Sequence, residues 1–277
     1  MYATSHTPQI KRLAWATDVH LNFVKAGEVV EFCERIVRAS CDALVITGDI
    51  AEGTSVVGYL KTLATHIPIP IYFVLGNHDF YGAYINKVRA AVTQLSQTIS
   101  NLHYLPAAGV VPLTEWTALI GCDGWGDFWH GKGAASRVEM QDHYLIRDLA
   151  SLSPMRRFAR LRALGREEAA RVRARLPQAL REFPHVILAT HVPPFRETCW
   201  HRGRISDDDW LPHFTCKAVG DALLEIMKEN PHARLTVLCG HTHGAGVTEV
   251  LPNLKVFTGG ARYGRPALQD VIQLEET

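Results

Sequence analysis

The sequence predicts an α/β fold, and three observations carry that prediction. Short apolar runs of about five residues recur along the chain, bounded by glycine, proline or polar clusters, as buried strands are. Between several of them lie segments with apolar residues at three- and four-residue spacing, the period of an amphipathic helix. Polar residues gather just past the carboxyl end of each run, where open α/β sheets place their ligands.

Residues 13–17 form the first run, which ends in Asp18-Val19-His20. A helix is expected over about 28–39, with Val29, Phe32, Cys33, Ile36 and Val37 on one stripe. Ala43–Thr47 is the second strand and ends in Gly48-Asp49. A second helix is expected over about 55–65, with Thr54 or Ser55 as its cap and Pro68 and Pro70 beyond its end. Residues 71–75 form the third strand, ending in Gly76-Asn77-His78-Asp79, and a long helix follows over about 83–98. The same grammar returns late in the chain. Residues 186–190 precede His191, and residues 235–239 precede Gly240-His241-Thr242-His243. Residues 247–251, 255–258 and 268–274 read as closing strands.

Between these halves, about 122–184 differs in character. It opens with Cys122-Asp123-Gly124-Trp125-Gly126-Asp127-Phe128-Trp129-His130 and becomes helical and rich in arginine, from Arg156 to Arg175. With no internal repeat and no low-complexity linker, the whole of 1–277 reads as one domain carrying an insertion or cap at about 122–184.

At 277 residues the chain can bury a substantial core without disulfides or structural zinc. It has 29 basic and 28 acidic residues, a net charge of +1, which gives no support to a general nucleic-acid or membrane-surface role. The arginine-rich helix then reads as a solvated face. Cys33, Cys41, Cys122, Cys199, Cys216 and Cys239 show no C-x-x-C spacing, so reduced, buried thiols are expected. Residues 1–10 lack the apolar stretch of a secretory signal, and no run approaches the ~20 apolar residues that span a bilayer. A cytoplasmic protein without a membrane partner is expected.

Five strand ends carry metal-ligand side chains. Asp18 and His20 are two apart, and in extended chain residues i and i+2 face the same way; His241 and His243 repeat that spacing. Asp49 and Asn77 each follow a glycine, which permits a sharp turn or close approach to an ion. His191 stands before the stiff Val192-Pro193-Pro194. Singly, each signal is weak: a histidine after a strand is more often structural, and an aspartate after glycine more often a turn residue. Jointly, carboxylate, imidazole and amide at five ends of one sheet system point to a metal centre.

The series Asp18-Val-His20, Gly48-Asp49, Gly76-Asn77-His78-Asp79, His191 and Gly240-His241-Thr-His243 resembles the signature of the calcineurin-like metallophosphoesterases, over about residues 11–260. The resemblance implies a four-layer αββα sandwich of two mixed sheets flanked by helices, with two divalent metals at the strand ends. One metal would take Asp18, His20, Asp49 and His243, the other Asp49, Asn77, His191 and His241, with Asp49 bridging. Mixed imidazole and oxygen ligands suit Mn, Fe, Zn or Ni better than Mg or Ca. A hydroxide between the metals would attack phosphorus in line. His78 resembles the family's catalytic histidine. Asp79 would either orient His78 or cap the next helix.

Departures narrow the class. Serine/threonine protein phosphatases resemble G-D-x-V-D-R-G and N-H-E where this chain has Gly48-Asp49-Ile50-Ala51-Glu52-Gly53 and Asn77-His78-Asp79. Lipid A precursor hydrolases usually carry arginine in place of His78. What remains implies a phosphodiesterase or phosphatase acting on a small, nucleotide-like phosphate ester. The other readings are a DNA-repair type nuclease, which the near-neutral charge disfavours, and a non-catalytic scaffold, which predicts lost ligands where none are lost. Loops 123–130 and 195–211 are placed to cover the site. Their Trp125, Trp129, Trp200 and Trp210 read first as packing residues, and second, with Arg202 and Arg204, as substrate contacts. The other nine histidines read as structural or surface residues, with His130 and His201 the candidate exceptions.

Overall fold

Period-two alternation along the strands sorts the chain into layers. The structure, a computed structural model, describes residues 9–274. In chain order its elements begin with β1 (Arg12–Ala16), α1 (Ala26–Arg38), β2 (Ala43–Thr47), α2 (Val56–His66), β3 (Ile71–Val74), α3 (Ile85–Thr98) and β4 (Leu102–Tyr104). They continue with α4 (Leu105–Ala108), β5 (Val111–Pro112), β6 (Thr117–Gly121), α5 (Asp142–Leu145), α6 (Arg147–Ala150), α7 (Pro154–Leu180) and β7 (His185–Ala189). Then follow β8 (Trp200–His201), β9 (Arg204–Ile205), α8 (Leu211–Phe214), α9 (Lys217–Glu229), β10 (Arg234–Cys239), β11 (Gly246–Leu251), β12 (Leu254–Thr258) and β13 (Leu268–Gln273).

Two large sheets result. One has the order β13-β1-β2-β3-β4, parallel except for β13; the other has the order β11-β12-β10-β7-β6-β5, parallel except for β11 and β5. Leu13, Trp15, Ala43, Val45, Tyr72 and Val74 of the first sheet meet Leu119, Ile187, Ala189 and Leu238 of the second in a shared core. Their neighbours Ala14, Leu44, Ile46, Ile71 and Phe73 point the other way, under Phe32 and Ile36 of α1, Leu60 and Leu63 of α2 and Val92 of α3. Across the second sheet, Val186, Leu188, Leu235 and Val237 lie under Val172 and Leu176 of α7 and Leu223 and Met227 of α9. The fold is therefore helix on sheet on sheet on helix, as expected. Strands buried on both faces explain why the sequence shows continuous apolar runs rather than alternation.

The expected strands and helices form within a residue or two of their expected bounds. The sequence reading did not identify β4, β6 or α9. Nor does the segment 122–184 behave as one insertion. α7 connects the parallel neighbours β6 and β7, and Leu164, Ala169, Val172, Leu176 and Ala179 are buried, so α7 belongs to the sandwich itself. The true excursion is 122–153, holding two short helices beside the strand ends. Arginine dominated the reading of α7, yet several arginines are engaged within the chain: Arg160 with Glu167, Arg171 with Glu168, Arg173 with Glu225, and Arg175 with the carbonyls of Leu105 and Pro106.

All six cysteines are free and buried. No helix among the described residues is long and apolar enough to cross a membrane. The expectation of no leader sequence rests mostly on residues 1–8, which lie outside the described residues.

Candidate metal centre

The strand ends bend sharply to turn their side chains inward. Asp18, His20, Asp49, His241 and His243 all hold φ between 40° and 69°, in the left-handed region that costs non-glycine residues roughly 1–3 kcal/mol. Cross-loop backbone bonds hold this strain in place: Asp18 N–H donates to the Gly48 carbonyl at 3.1 Å, His20 N–H to Asp49 at 3.0 Å, and Gly240 N–H to His191 at 2.9 Å. Two glycines are required by close approach. A Cβ on Gly76 would stand 2.2 Å from Asp49 Oδ1, and one on Gly240 would stand 2.1 Å from Asp18 Oδ2.

The side chains so placed form two adjoining sets that share Asp49. In the first, Asp18, His20, Asp49 and His243 offer ligand atoms all within 4.8 Å of one another. His243 Nε2 lies 3.3 Å from Asp18 Oδ1, His20 Nε2 lies 3.7 Å from Asp49 Oδ2, and the two imidazole nitrogens are 3.2 Å apart. In the second set, His191 Nε2 lies 3.4 Å from Asp49 Oδ1, 3.1 Å from Asn77 Oδ1 and 3.2 Å from His241 Nδ1. Asp49 thus turns Oδ2 to one set and Oδ1 to the other. Every sequence-predicted ligand is at this centre.

Hydrogen bonds orient the imidazoles so that particular nitrogens face inward. His191 Nδ1 meets the Thr47 carbonyl at 2.9 Å, and His241 Nε2 meets the His213 carbonyl at 3.2 Å. Since a carbonyl only accepts, each of those nitrogens carries a proton, which leaves the other ring nitrogen as the one a cation could take. Asn77 is oriented likewise: its amide nitrogen donates to Asp142 Oδ1 at 2.8 Å, which turns its oxygen to the centre.

Burial would raise the carboxyl pKa of Asp49, but the imidazoles of His191, His78 and His20 outweigh it and hold the group well below the carboxylate range. Asp18 is lowered too: burial opposes this, and His243 prevails. His191 is the mirror case. Burial disfavours its proton, yet Asp49 and Asp18 push its pKa up to about 10. Burial brings His20 and His241 down to about 4. Two carboxylates facing pairs of imidazole nitrogens only 3.2 Å apart form a donor set that a divalent cation fits in place of shared protons.

The two other predicted residues sit differently. His78 stands at the rim, its ring 4.7 Å from that of His20, with Nε2 3.4 Å from the Tyr263 hydroxyl and Nδ1 3.5 Å from Glu52. Asp79 does not reach the His78 ring and does not cap the next helix. It accepts three backbone N–H bonds, from Ile50, Ala51 and Gly76, and so staples the loop after β2 to the loop after β3. Burial and the nearby Asp49 carboxylate push its pKa well up, against the pull of these amides. Asp79 is a positioning residue for the centre's backbone.

Sequence reasoning missed Asp142, whose carboxylate also accepts the Tyr81 hydroxyl at 2.7 Å, and Tyr263, which packs on His20 at 4.5 Å and on His243 at 5.0 Å. It also missed the buttress in which Arg89 pairs with Asp123 at 2.8 Å and Glu168 at 2.7 Å, fixing the loop whose Asp123 carbonyl accepts His191 N–H. Of the four tryptophans, Trp125 is buried against Phe80, Trp129 lies under Arg162, Trp200 packs on the loop after β10, and Trp210 lines the site. A cavity of about 620 Å³ opens over the centre, bounded by Asp49, Asn77, His78, His241 and His243 below. His201, one of the two candidate exceptions, lines this cavity; His130 does not.

Comparison with known proteins agrees with this architecture. Phosphopantetheinyl hydrolase from Mycobacterium tuberculosis superposes with a TM-score of 0.64 at 17% identity, covering 92% of this chain and 90% of its own. A dimetal phosphatase from Danio rerio gives 0.56 at 12% identity, covering 91% and 88%. GAP50, the anchor in the inner membrane complex of Plasmodium, gives 0.50 at 15% identity, covering 90% and 71%. At these identities the likeness is one of fold. No curated protein compared with the chain matches it. The sequence profile of the calcineurin-like phosphoesterases, however, matches residues 11–245, a span that holds every residue of the candidate ligand sets described above. The chain therefore belongs to the calcineurin-like phosphoesterase family.

Proposed function

We propose that the chain hydrolyses a phosphodiester or phosphomonoester of a small molecule, with two divalent transition-metal ions as cofactors. The observation that carries this reading is Asp49, whose two oxygens face two separate ligand sets. Asp18, His20, Asp49 and His243 would hold one ion; Asp49, Asn77, His191 and His241 would hold the other. Mn, Fe, Zn or Ni fit these mixed imidazole and oxygen donors. Bound there, such ions supply an acidified water for in-line displacement at phosphorus and offset charge on the phosphoryl oxygens.

The chain's own groups do the rest. His78, at the rim and beside Tyr263, is placed to donate a proton to the leaving oxygen or to a phosphoryl oxygen. Tyr263 and Phe214 flank the cavity and give it aromatic walls. Asp142, Asp79, Thr47 and the Arg89 cluster hold ligands and loops in place. The complete ligand set favours catalysis over a scaffold role, and the near-neutral charge favours a small substrate over a nucleic acid. Six buried free thiols fit a reducing compartment, so the cytoplasm is part of the proposal.

The test is elemental analysis together with hydrolysis assays on bis(4-nitrophenyl) phosphate, 4-nitrophenyl phosphate, cyclic nucleotides and single-stranded DNA. Activity on a small ester that a chelator abolishes and Mn²⁺ restores is expected. Chelator-resistant activity, or none on any ester with metal bound, would overturn the proposal.

A further inference from the structure

The β8–β9 hairpin forms a wall of the cavity, built on the centre's own loop. Its two-residue turn, Arg202-Gly203, has φ of 48° and 75°, the pairing that matches strand twist in a tight hairpin. His201 Nδ1 meets the Thr242 carbonyl at 2.8 Å, and Trp200 Nε1 donates to Thr248 Oγ1 at 3.1 Å. The fit leaves no slack: a Cβ on Gly244 would stand 2.2 Å from the Trp200 carbonyl, and one on Gly246 would stand 2.3 Å from its ring. The hairpin is therefore docked on residues 242–248, directly beside His241 and His243.

Arg202 and Arg204 line the same cavity as Asp49, Asn77 and the centre's histidines. Both are exposed, and neither forms an ion pair or side-chain hydrogen bond among the described residues. Thr242, lying between His241 and His243, also lines the cavity; it is 2% exposed and its hydroxyl has no partner among the described residues. The one acidic group on that side, Asp207, uses Oδ1 to accept the N–H groups of Asp209 and Trp210. Two guanidinium groups without partners among the described residues, over a cavity shared with the centre, point to a ligand that supplies acceptors. Guanidinium forks suit phosphate and carboxylate.

We infer that Arg202 and Arg204 bind a second anionic group of the substrate, so that the preferred ester carries a phosphate or carboxylate on the arm away from the bond that breaks. This rests on the phosphoesterase reading above and adds the substrate class to it. Arg202 and Arg204 act on specificity, and the chemistry at phosphorus stays with the centre.

The test compares the metal-loaded wild type, the double variant Arg202→Ala/Arg204→Ala, and Arg156→Ala, an exposed arginine on α7. Values of kcat/KM are measured on bis(4-nitrophenyl) phosphate, which has no second anion. They are set against adenosine 3′,5′-bisphosphate for a second phosphate and 4-carboxyphenyl phosphate for a carboxylate. In wild type, at least one doubly anionic ester is preferred. In the double variant that preference falls about 10- to 100-fold, mostly through KM, as expected for losing charge-assisted contacts. Arg156→Ala keeps it. Calorimetric binding of adenosine 3′,5′-bisphosphate against adenosine 5′-monophosphate needs no turnover, and it separates failure here from failure of the hydrolase reading. Equal losses on all esters, or unchanged selectivity and binding, would overturn the inference.

Discussion

Asp142 sits 65 residues from Asn77 in sequence, yet its carboxylate decides which way the Asn77 amide faces. It accepts the Asn77 Nδ2–H at 2.8 Å and the Tyr81 hydroxyl at 2.7 Å. The segment carrying it is pinned to the loop after His78, because Gly82 N–H donates to the Leu145 carbonyl at 2.8 Å and Arg147 N–H to Ala83 at 3.0 Å. Asp142→Ala removes the charged acceptor and leaves the Asn77 amide nitrogen only the Tyr81 hydroxyl, 3.2 Å away. The less firmly held amide can then rotate and present a nitrogen, which cannot ligate, where Oδ1 faces His191. Hydrogen bonds to a charged group contribute ~1.5–3 kcal/mol, and outer partners of metal ligands change affinity or activity by ~10–100-fold. Asp142→Ala should therefore weaken one of two metal-binding events by that factor, with a matching fall in kcat at limiting Mn²⁺. Asp142→Asn retains an acceptor oxygen and should lose less. The assay is activity against buffered free Mn²⁺, with bound metal counted by elemental analysis and folding checked by thermal unfolding. A folded Asp142→Ala protein with wild-type metal dependence would refute the reasoning.

Asp49→Asn should lower kcat by about 10³-fold or more and reduce bound metal, since several kcal/mol of charge stabilisation are lost at tenfold per ~1.4 kcal/mol; His66→Ala, on the exposed end of α2, serves as the control. His78→Ala should lower kcat by about 10²–10⁴-fold and leave metal content unchanged, as a proton donor that is not a ligand would. Stability should fall between about pH 6.5 and pH 4 through His185, remote from the centre. Burial and, to a smaller degree, Arg234 hold its folded pKa down to about 4 against an ordinary 6.5. Across that window the unfolded chain takes up the proton first, so stability is lost as pH falls, by up to ~3 kcal/mol. Denaturant titrations of His185→Asn should show a flatter pH dependence over that range.

The centre was legible because each ligand block is contiguous and ends a run of apolar residues, so strand and ligand are read together. Asp18-Val-His20 and His241-Thr-His243 stand out by their spacing, but extended geometry is not what aims them: all four lie past the strand ends with left-handed φ of 40° to 69°. Asp142 and Tyr263 lie in segments with no period of their own, and only folding shows what they touch. From its place after His78, Asp79 reads as either a partner of that ring or a cap for the next helix; its carboxylate instead reaches backbone amides near residues 50 and 76. α7 was misread because its arginines masked a buried stripe from Leu161 to Ala179, and because β6 went unrecognised, leaving no strand for the helix to start from. α9 carried a readable stripe, Val219, Ala222, Leu223, Ile226 and Met227, at helical spacing.

Anomalous diffraction from crystals soaked in Mn²⁺ tests the two-cation reading most directly. Two peaks ~3.5–4 Å apart are expected, one on each side of the Asp49 carboxylate. A single peak, or none at Asp49 with Mn²⁺ in excess, would contradict it.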